Sequence, residues 1–331
     1  MPKFCCVLFS YNRAILLDLT LRSLAEKMIH PDIDYTVVYH CSAAHRESYD
    51  TLMAEWQAKG IRFVLRDERP RSFSQLIGML VRPTNLYRYL RKPKMRRFVD
   101  NFKELVEGAI RNSGAPFTFF STDDQYVISE TFIPKVVLDR IQADPRHCSY
   151  RMGLSDRFTG RGTLPADLQV TRLPFSENGQ EGTVLCWDAT AREATKIWEY
   201  SFNVDFQVYD SAVLLEFLKP ILYHMPTTLE AFGVKESRSR NYFRALLGTA
   251  ERTVVGVQAN NVQTMVNNPQ MGYSPEKLRD LYESGYRLVI KDSQISSGQV
   301  LFMPETLFFR KIDDASGELF EFSELTKSMD P

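Results

Sequence analysis

Two hydrophobic periods alternate along the first part of the chain. Lys3–Phe9 (KFCCVLF) is a short apolar run that predicts a buried strand, and Ile15, Leu16, Leu19 and Leu24 then recur at helical spacing up to Lys27. Tyr35–His40 (YTVVYH) predicts a second strand and Ala43–Lys59 a second helix, stopped by Gly60. Ile61–Arg66 predicts a third strand. After an irregular stretch, Phe98, Phe102, Leu105, Val106, Ala109 and Ile110 share one helical face that Gly114 ends. Phe117–Phe120 is a fourth strand, and it runs directly into Asp123 and Asp124. Strands alternating with helices in this way imply βαβ units and a parallel, doubly wound sheet. The handedness of such crossovers brings the strand ends to one edge, beside the Asp123-Asp124 turn.

The later pattern is less regular. Ile133, Val136, Val137 and Ile141 form a stripe behind a Thr131 cap and Pro134, and Cys148–Leu154 predicts a strand. Gly160–Gly182 is expected to be a loop, and Trp187 and Trp198 to bracket a polar helical segment. Val213–Leu222 predicts a helix and Val254–Val257 a strand. Ser274-Pro275-Glu276 opens a last helix that Gly285 closes. Short β-like runs follow Asp292. The expected organisation is one domain over 1–290, with halves 1–128 and 129–290, and a C-terminal appendage over 291–331.

Composition narrows the function. Lys plus Arg equals Asp plus Glu at 41 each, so no global charge points to nucleic acid. Five scattered cysteines without a CxxC pair argue against a disulfide framework or a zinc site. No stretch reaches the roughly eighteen apolar residues of a membrane span, and the first strand-like run lacks the features of a signal peptide. A soluble cytoplasmic protein is the expectation. One local charge excess stands out. Between Arg69 and Val99 there are nine Arg or Lys and no acid, interleaved with Phe73, Tyr87 and Tyr89. This is either a solvated connection or an electropositive flap over 69–97 that meets phosphates, an anionic acceptor or a membrane surface.

Asp123 and Asp124 carry the candidate chemistry. Ligands of open α/β sheets collect at the carboxyl ends of strands. Paired carboxylates there suit Mg²⁺ or Mn²⁺ and, through it, a diphosphate. The plainer alternative makes one Asp a turn cap and the other a solvated residue.

At this point the chain resembles a known family. VLFSYNRAILLDLTLRSL is similar to the opening of family-2-like glycosyltransferases of GT-A fold, and FTFFSTDDQYVI to their acidic DXD segment. WEYSFNVDFQVY, PTTLEAF and VQANNVQTMVNNP with SPEKLRDLYESG resemble a bacterial branch from cell-envelope polysaccharide clusters. The resemblance spans most of residues 3–290. It implies a mostly parallel sheet with helices on both faces, a nucleotide-sugar donor, and a glycan or lipid-linked acceptor. It further implies that Ser10, Tyr11 and Arg13 contact the nucleotide, with Tyr11 against the base. Asp123 would reach ribose or metal, and Asp124 would hold Mn²⁺ or Mg²⁺. The chain departs from the pattern twice. His40-Cys41-Ser42 stands where many relatives place an Asp that reads uracil, and Gln125 replaces the third acid.

On the acceptor side, Trp198, Glu230 and Asn261 are candidates: an aromatic face for a sugar ring, a carboxylate, and an amide from a dense Asn cluster. Each also has a structural alternative, as core, turn cap or backbone support. Asp205, flanked by Val204 and Phe206, is the candidate general base, with Asp188, Asp210 and Glu230 as competitors. Two other classes remain. A sugar-1-phosphate nucleotidyltransferase would need a glycine-rich phosphate loop, which SYNRA lacks. A non-catalytic carbohydrate- or nucleotide-binding protein on a degenerate GT-A fold would account for Gln125 and His40.

Overall fold

The structure is a computed structural model that describes residues 2–30, 32–70, 98–159, 162–260, 271–295, 301–302, 306–312 and 316–323. The first half runs β1 (Phe4–Tyr11), α1 (Ala14–Lys27), β2 (Ile33–His40), α2 (Arg46–Gln57), β3 (Arg62–Leu65), β4 (Glu68–Pro70), β5 (Phe98–Asp100), α3 (Phe102–Ser113), β6 (Phe117–Thr122), β7 (Gln125–Val127) and α4 (Lys135–Ala143). Next come β8 (Cys148–Ser155), β9 (Thr171–Glu177), β10 (Gln180–Asp188), β11 (Gln207–Asp210), α5 (Ser211–Leu218), α6 (Pro226–Arg240), β12 (Ala245–Thr249) and β13 (Val254–Val257). The last part holds α7 (Pro275–Glu283), β14 (Tyr286–Val289), β15 (Leu301–Phe302), β16 (Phe308–Lys311) and β17 (Phe320–Glu321).

A nine-stranded sheet in the order β3-β2-β1-β6-β11-β8-β12-β10-β9 forms the centre. β3, β2, β1 and β6 are mutually parallel, as the alternating pattern predicts. β10 and β11 run against the other strands, so the sheet is mostly parallel but mixed. Both of its faces are covered. Along β1, Phe4, Cys6 and Leu8 enter one core with α1, α2, α4 and α7, while Cys5, Val7 and Phe9 enter another with α3, α5 and α6. Burial on both faces is why β1 and β6 read as continuous apolar runs rather than alternating ones.

Several expectations change. Thr131 does not cap a helix. Its backbone pairs with Lys27 and Ile29, and α4 begins after Pro134. The expected loop over 160–182 contains β9 and the start of β10, an antiparallel hairpin turned by Asn178 and Gly179, both at positive φ. Asn-Gly between strands is the usual signal for that turn. The segment between Trp187 and Trp198 is turns ending in a short 3₁₀ stretch at Lys196–Glu199. The boundary expected at 290 cuts a sheet, because β14 pairs with β16 and β16 with β17. That module is fastened to the main body. Asp18 of α1 is fully buried, accepts from the Trp56 indole at 3.1 Å, and pairs with Arg22 and Arg287.

α6 is the helix that sequence periodicity does not announce, since PTTLEAFGVKESRSR has no apolar stripe. It forms because Pro226 starts it, the Thr228 hydroxyl accepts from the Met225 backbone N–H at 3.2 Å, and Asn241 ends it in the left-handed conformation. Gly233 lets it lie flat on the core, because a Cβ at that position would overlap the Phe202 ring. Gly233→Ala should therefore lower stability by about 1–3 kcal/mol through overpacking. Chemical unfolding measures this, and an unchanged midpoint would show that the ring can yield.

Candidate active site

β1 and β6 are parallel neighbours with Phe9 opposite Thr122, so the segments that follow them meet. Asp123 turns inward. Its Oδ2 accepts from the Ser10 hydroxyl at 2.8 Å and the Tyr11 backbone N–H at 3.2 Å, and its Oδ1 lies 2.7 Å from Arg13 Nη2. Its side chain is 1% exposed. From α1, the Thr20 hydroxyl reaches the carbonyls of Asp123 and Gln125 and holds the turn from beneath. Asp124 faces the cleft more openly. It accepts from Arg13 Nη1 at 3.0 Å and from the Thr122 hydroxyl at 2.7 Å.

One guanidinium therefore bridges both acids. Burial pushes Asp123 up to about 6, against the pull of Arg13 and helped by Asp124. Burial works against the Arg13 charge too, but the two carboxylates outweigh it and hold its proton more tightly than usual.

The structure separates the expected nucleotide residues by role. Ser10 is buried and its hydroxyl is engaged by Asp123 and Tyr49, so it supports Asp123. Tyr11 is 40% exposed and stacks on His40 at 5.5 Å between centroids and 9° between planes. His40 Nδ1 lies 3.1 Å from the Arg66 carbonyl, which only accepts, so Nδ1 carries a hydrogen. The aromatic pair stands at the same sheet edge as Asp123.

A second constellation comes from the later half. Asp205 Oδ1 lies 3.1 Å from the Thr122 hydroxyl, so Asp124 and Asp205 flank one side chain. Asn203 ties Asp205 to α6: its Oδ1 accepts from the Asp205 backbone N–H, and its Nδ2 donates to Glu230 Oε1 at 3.0 Å. Phe206, next to Asp205, is fully buried at φ 52°. Its N–H bonds the Phe120 carbonyl at 2.8 Å and its carbonyl accepts from Met152 N–H at 3.0 Å. A bulky residue held at positive φ is a strained position that its neighbours over-determine, and it fixes where Asp205 projects. Burial and then the Asp124 charge push Asp205 up to about 6, opposed by Arg151 and the Thr122 hydroxyl. Burial and Asp205 push Glu230 up to about 7, again opposed by Arg151.

The remaining candidates are placed differently. Trp198 is fully buried, donates its indole N–H to the Gly162 carbonyl at 3.0 Å, and meets Trp187 edge-on. It is a core residue with no face for a sugar, and Tyr200, 38% exposed, is the aromatic of that segment that reaches solvent. Asn261 lies outside the described residues, as does nearly all of the basic stretch over 69–97. Among the competitors for Asp205, Asp210 caps α5 and Asp188 caps the turn at Thr190. Sequence reasoning missed Thr122, Asn203 and Arg151. Asn203 stood inside the quoted FNVDF segment, whereas only tertiary structure brings Thr122 and Arg151 to Asp205.

The metal expectation has mixed support. Asp123 is committed to Ser10, Tyr11 and Arg13 within the protein, whereas Asp124 is a hard oxygen donor that faces the cleft. Magnesium is ordinarily held by one or two carboxylates plus substrate phosphates, a set that Asp124 fits. Among the described residues no group of three or more His, Cys, Asp or Glu is arranged to hold a metal, and no helix is long and apolar enough to cross a membrane.

No protein-family model and no curated protein matches the chain. Distant likenesses exist among solved structures. S. aureus TarS 1-349 is 13% identical with a TM-score of 0.40, over 76% of this chain and 59% of that one. The same protein in complex with UDP-GlcNAc gives 11% and 0.41, over 76% and 57%. A Pyrobaculum calidifontis mannosyltransferase in complex with GDP-Man and Mn²⁺ gives 14% and 0.26, over 46% and 35%. This chain thus spans less than two thirds of the TarS structures it resembles. The fold stands on the strand order and register described above.

The raised carboxylates have a measurable consequence. Between about pH 4 and pH 7 the folded protein keeps protons on Asp205 and Glu230 that ordinary carboxylates of an unfolded chain have released. The native state then binds more protons, so their contribution to stability falls as pH rises through that window. Glu230→Gln, which keeps an acceptor for Asn203, should gain on the wild type by on the order of 1 kcal/mol from about pH 5 to pH 8. Urea unfolding at the two pH values checks this. A constant difference would mean that Glu230 titrates as an ordinary acid.

Proposed function

We propose that the protein is a nucleotide-sugar-dependent glycosyltransferase of GT-A type, acting on a glycan or lipid-linked acceptor in surface polysaccharide synthesis. The observation that carries this reading is the meeting of Asp124 and Asp205, from opposite halves of the chain, across Thr122. One acid then serves the donor and the other the acceptor. Support also comes from the exposed Tyr11–His40 stack, a flat platform for a base at the same edge. The sequence resemblance over residues 3–290 points the same way.

In this reading Tyr11 receives the nucleotide base, and Arg13 and Asp124 lie at the diphosphate. Mn²⁺ or Mg²⁺ held by Asp124 supplies charge neutralisation on the leaving diphosphate when bound. Asp205 takes the proton of the acceptor hydroxyl as the glycosidic bond forms with inversion. Its elevated proton affinity suits that role near neutral pH, where a base must be ionised yet still attract a proton. Arg151 offsets the negative charge of Asp205 and Glu230. Glu230 and the exposed Tyr200 border the acceptor side. The basic stretch over 69–97 contributes contacts to phosphates or a membrane surface. A binding-only protein is the second reading, favoured by the double ion pair of Arg13, which already satisfies both acids of the turn.

A thermal-shift panel of nucleoside diphosphates with and without Mn²⁺ tests the first step. A ligand at a hundred times its dissociation constant stabilises by about 2.7 kcal/mol. Hydrolysis of UDP-GlcNAc or GDP-mannose separates an enzyme from a binding protein. Asp205→Asn should cut turnover by about 10²–10⁴ while nucleotide affinity stays constant. Near-normal turnover in that variant would remove Asp205 as the base, and a product with retained anomeric configuration would remove the need for one.

A further inference from the structure

Three groups crowd the Thr122 hydroxyl at the end of β6. Asp124 Oδ1 lies at 2.7 Å, Asp205 Oδ1 at 3.1 Å and Gln125 Nε2 at 3.3 Å. A hydroxyl has one hydrogen to give and lone pairs to receive. The Gln125 amide, itself a donor, occupies the receiving side. The single hydrogen then has two carboxylates to choose between and can satisfy one at a time.

We propose that Thr122 is a positioning residue whose hydroxyl hydrogen is shared between Asp124 and Asp205, so that engagement of one acid sets the hold on the other. The functional content of this inference rests on the donor and acceptor roles assigned to those acids above. The shorter distance places the hydrogen on Asp124 in the ligand-free protein. When a cationic partner takes the oxygens of Asp124, the hydrogen turns to Asp205 and fixes its Oδ1, leaving Oδ2 for the acceptor. The acceptor-side acid is thus oriented after the donor side is filled. Gln125 thereby has a physical reason to be an amide. Gln125 is buried, and a carboxylate there would accept the hydrogen and draw it away from both partners.

The shared hydrogen can be tested without any ligand. Double-mutant cycles on chemical unfolding pair Thr122→Val with Asp205→Ala, first with Asp124 present and then in the Asp124→Ala background. With Asp124 present the coupling should change the folding equilibrium by less than about threefold. Without Asp124 the hydrogen belongs to Asp205, and the coupling should rise to about tenfold or more, as for a hydrogen bond to a charged group. Equal coupling in the two backgrounds overturns the proposal. If Thr122→Val fails to fold, Thr122→Ala, which also removes the hydroxyl without adding a charge, replaces it in the same cycles, with the same expectation and the same overturning result.

The kinetic arm uses UDP-GlcNAc and GDP-mannose as probes. Thr122→Val should lower kcat about tenfold or more with KM for the donor within about threefold, and Thr122→Ser should restore it, since general-base contributions span about 10²–10⁴. A loss that Thr122→Ser does not restore, or one confined to KM, assigns Thr122 a packing role and overturns the positioning role. If the wild type turns over neither sugar nucleotide, the glycosyltransferase reading fails, while the unfolding cycles still decide the shared hydrogen.

Discussion

A carboxylate with almost no contact with water sits where the ends of β1 and β6 meet. Asp123 is tolerable there because Ser10, the Tyr11 backbone and Arg13 all face it. Losing one partner of such a buried pair typically costs about 3–5 kcal/mol, because the other charge remains stranded. The need to keep Asp123 satisfied therefore fixes the end of β1, the entry to α1 and the turn after β6 together. Asp124 inherits its position from that arrangement. It is the neighbour of a residue that cannot move.

The second half supplies its acid by a different device. Asp205 lies on an irregular segment between Phe202, against which α6 packs, and β11. No regular element aims it. Its direction comes from the positive φ of Phe206, whose N–H and carbonyl are bound by β6 and β8, and from the Asn203 side chain. Hydrogen bonding rather than periodic structure brings Glu230, Asn203, Asp205, Thr122 and Asp124 into one line. Such chains of polar contacts are rigid when every member is satisfied and weaken together when one is removed.

That difference explains what the sequence made legible. The parallel half of the sheet follows from apolar runs and helical spacing, and with it the meeting of Ser10, Tyr11 and Arg13 with Asp123 and Asp124. The roles within that group were not readable. Nothing in SYNR or TDD says that Ser10 and Asp123 turn inward while Tyr11 turns out. The second half is less legible because β11 is short and α6 lacks a stripe. Only Asn178-Gly179 marks β9 and β10 in the sequence. Trp198 differs from its expected place for a general reason: a tryptophan beside polar residues looks exposed in sequence, while its burial depends on a carbonyl supplied from residue 162. The apolar flanks of Asp205 mark it in sequence, and its proximity to Asp124 is a fact of tertiary structure alone.

The fastening of the last strands to α1 bears on how the chain is made. α1 begins at Ala14, yet its outer side is secured by Arg22 donating to the Leu288 carbonyl at 2.6 Å and by Arg287 reaching Asp18. β14, which carries those groups, is itself paired to β16 at Phe308–Lys311. A ribosome releases the chain from its N-terminus, and domains generally fold as units during that release. Here the first helix waits for nearly the whole chain before its buried Asp18 receives its last partner. Until then Asp18 is held only by Trp56 of α2 and by Arg22 of its own helix, and the cover of α1 is completed late.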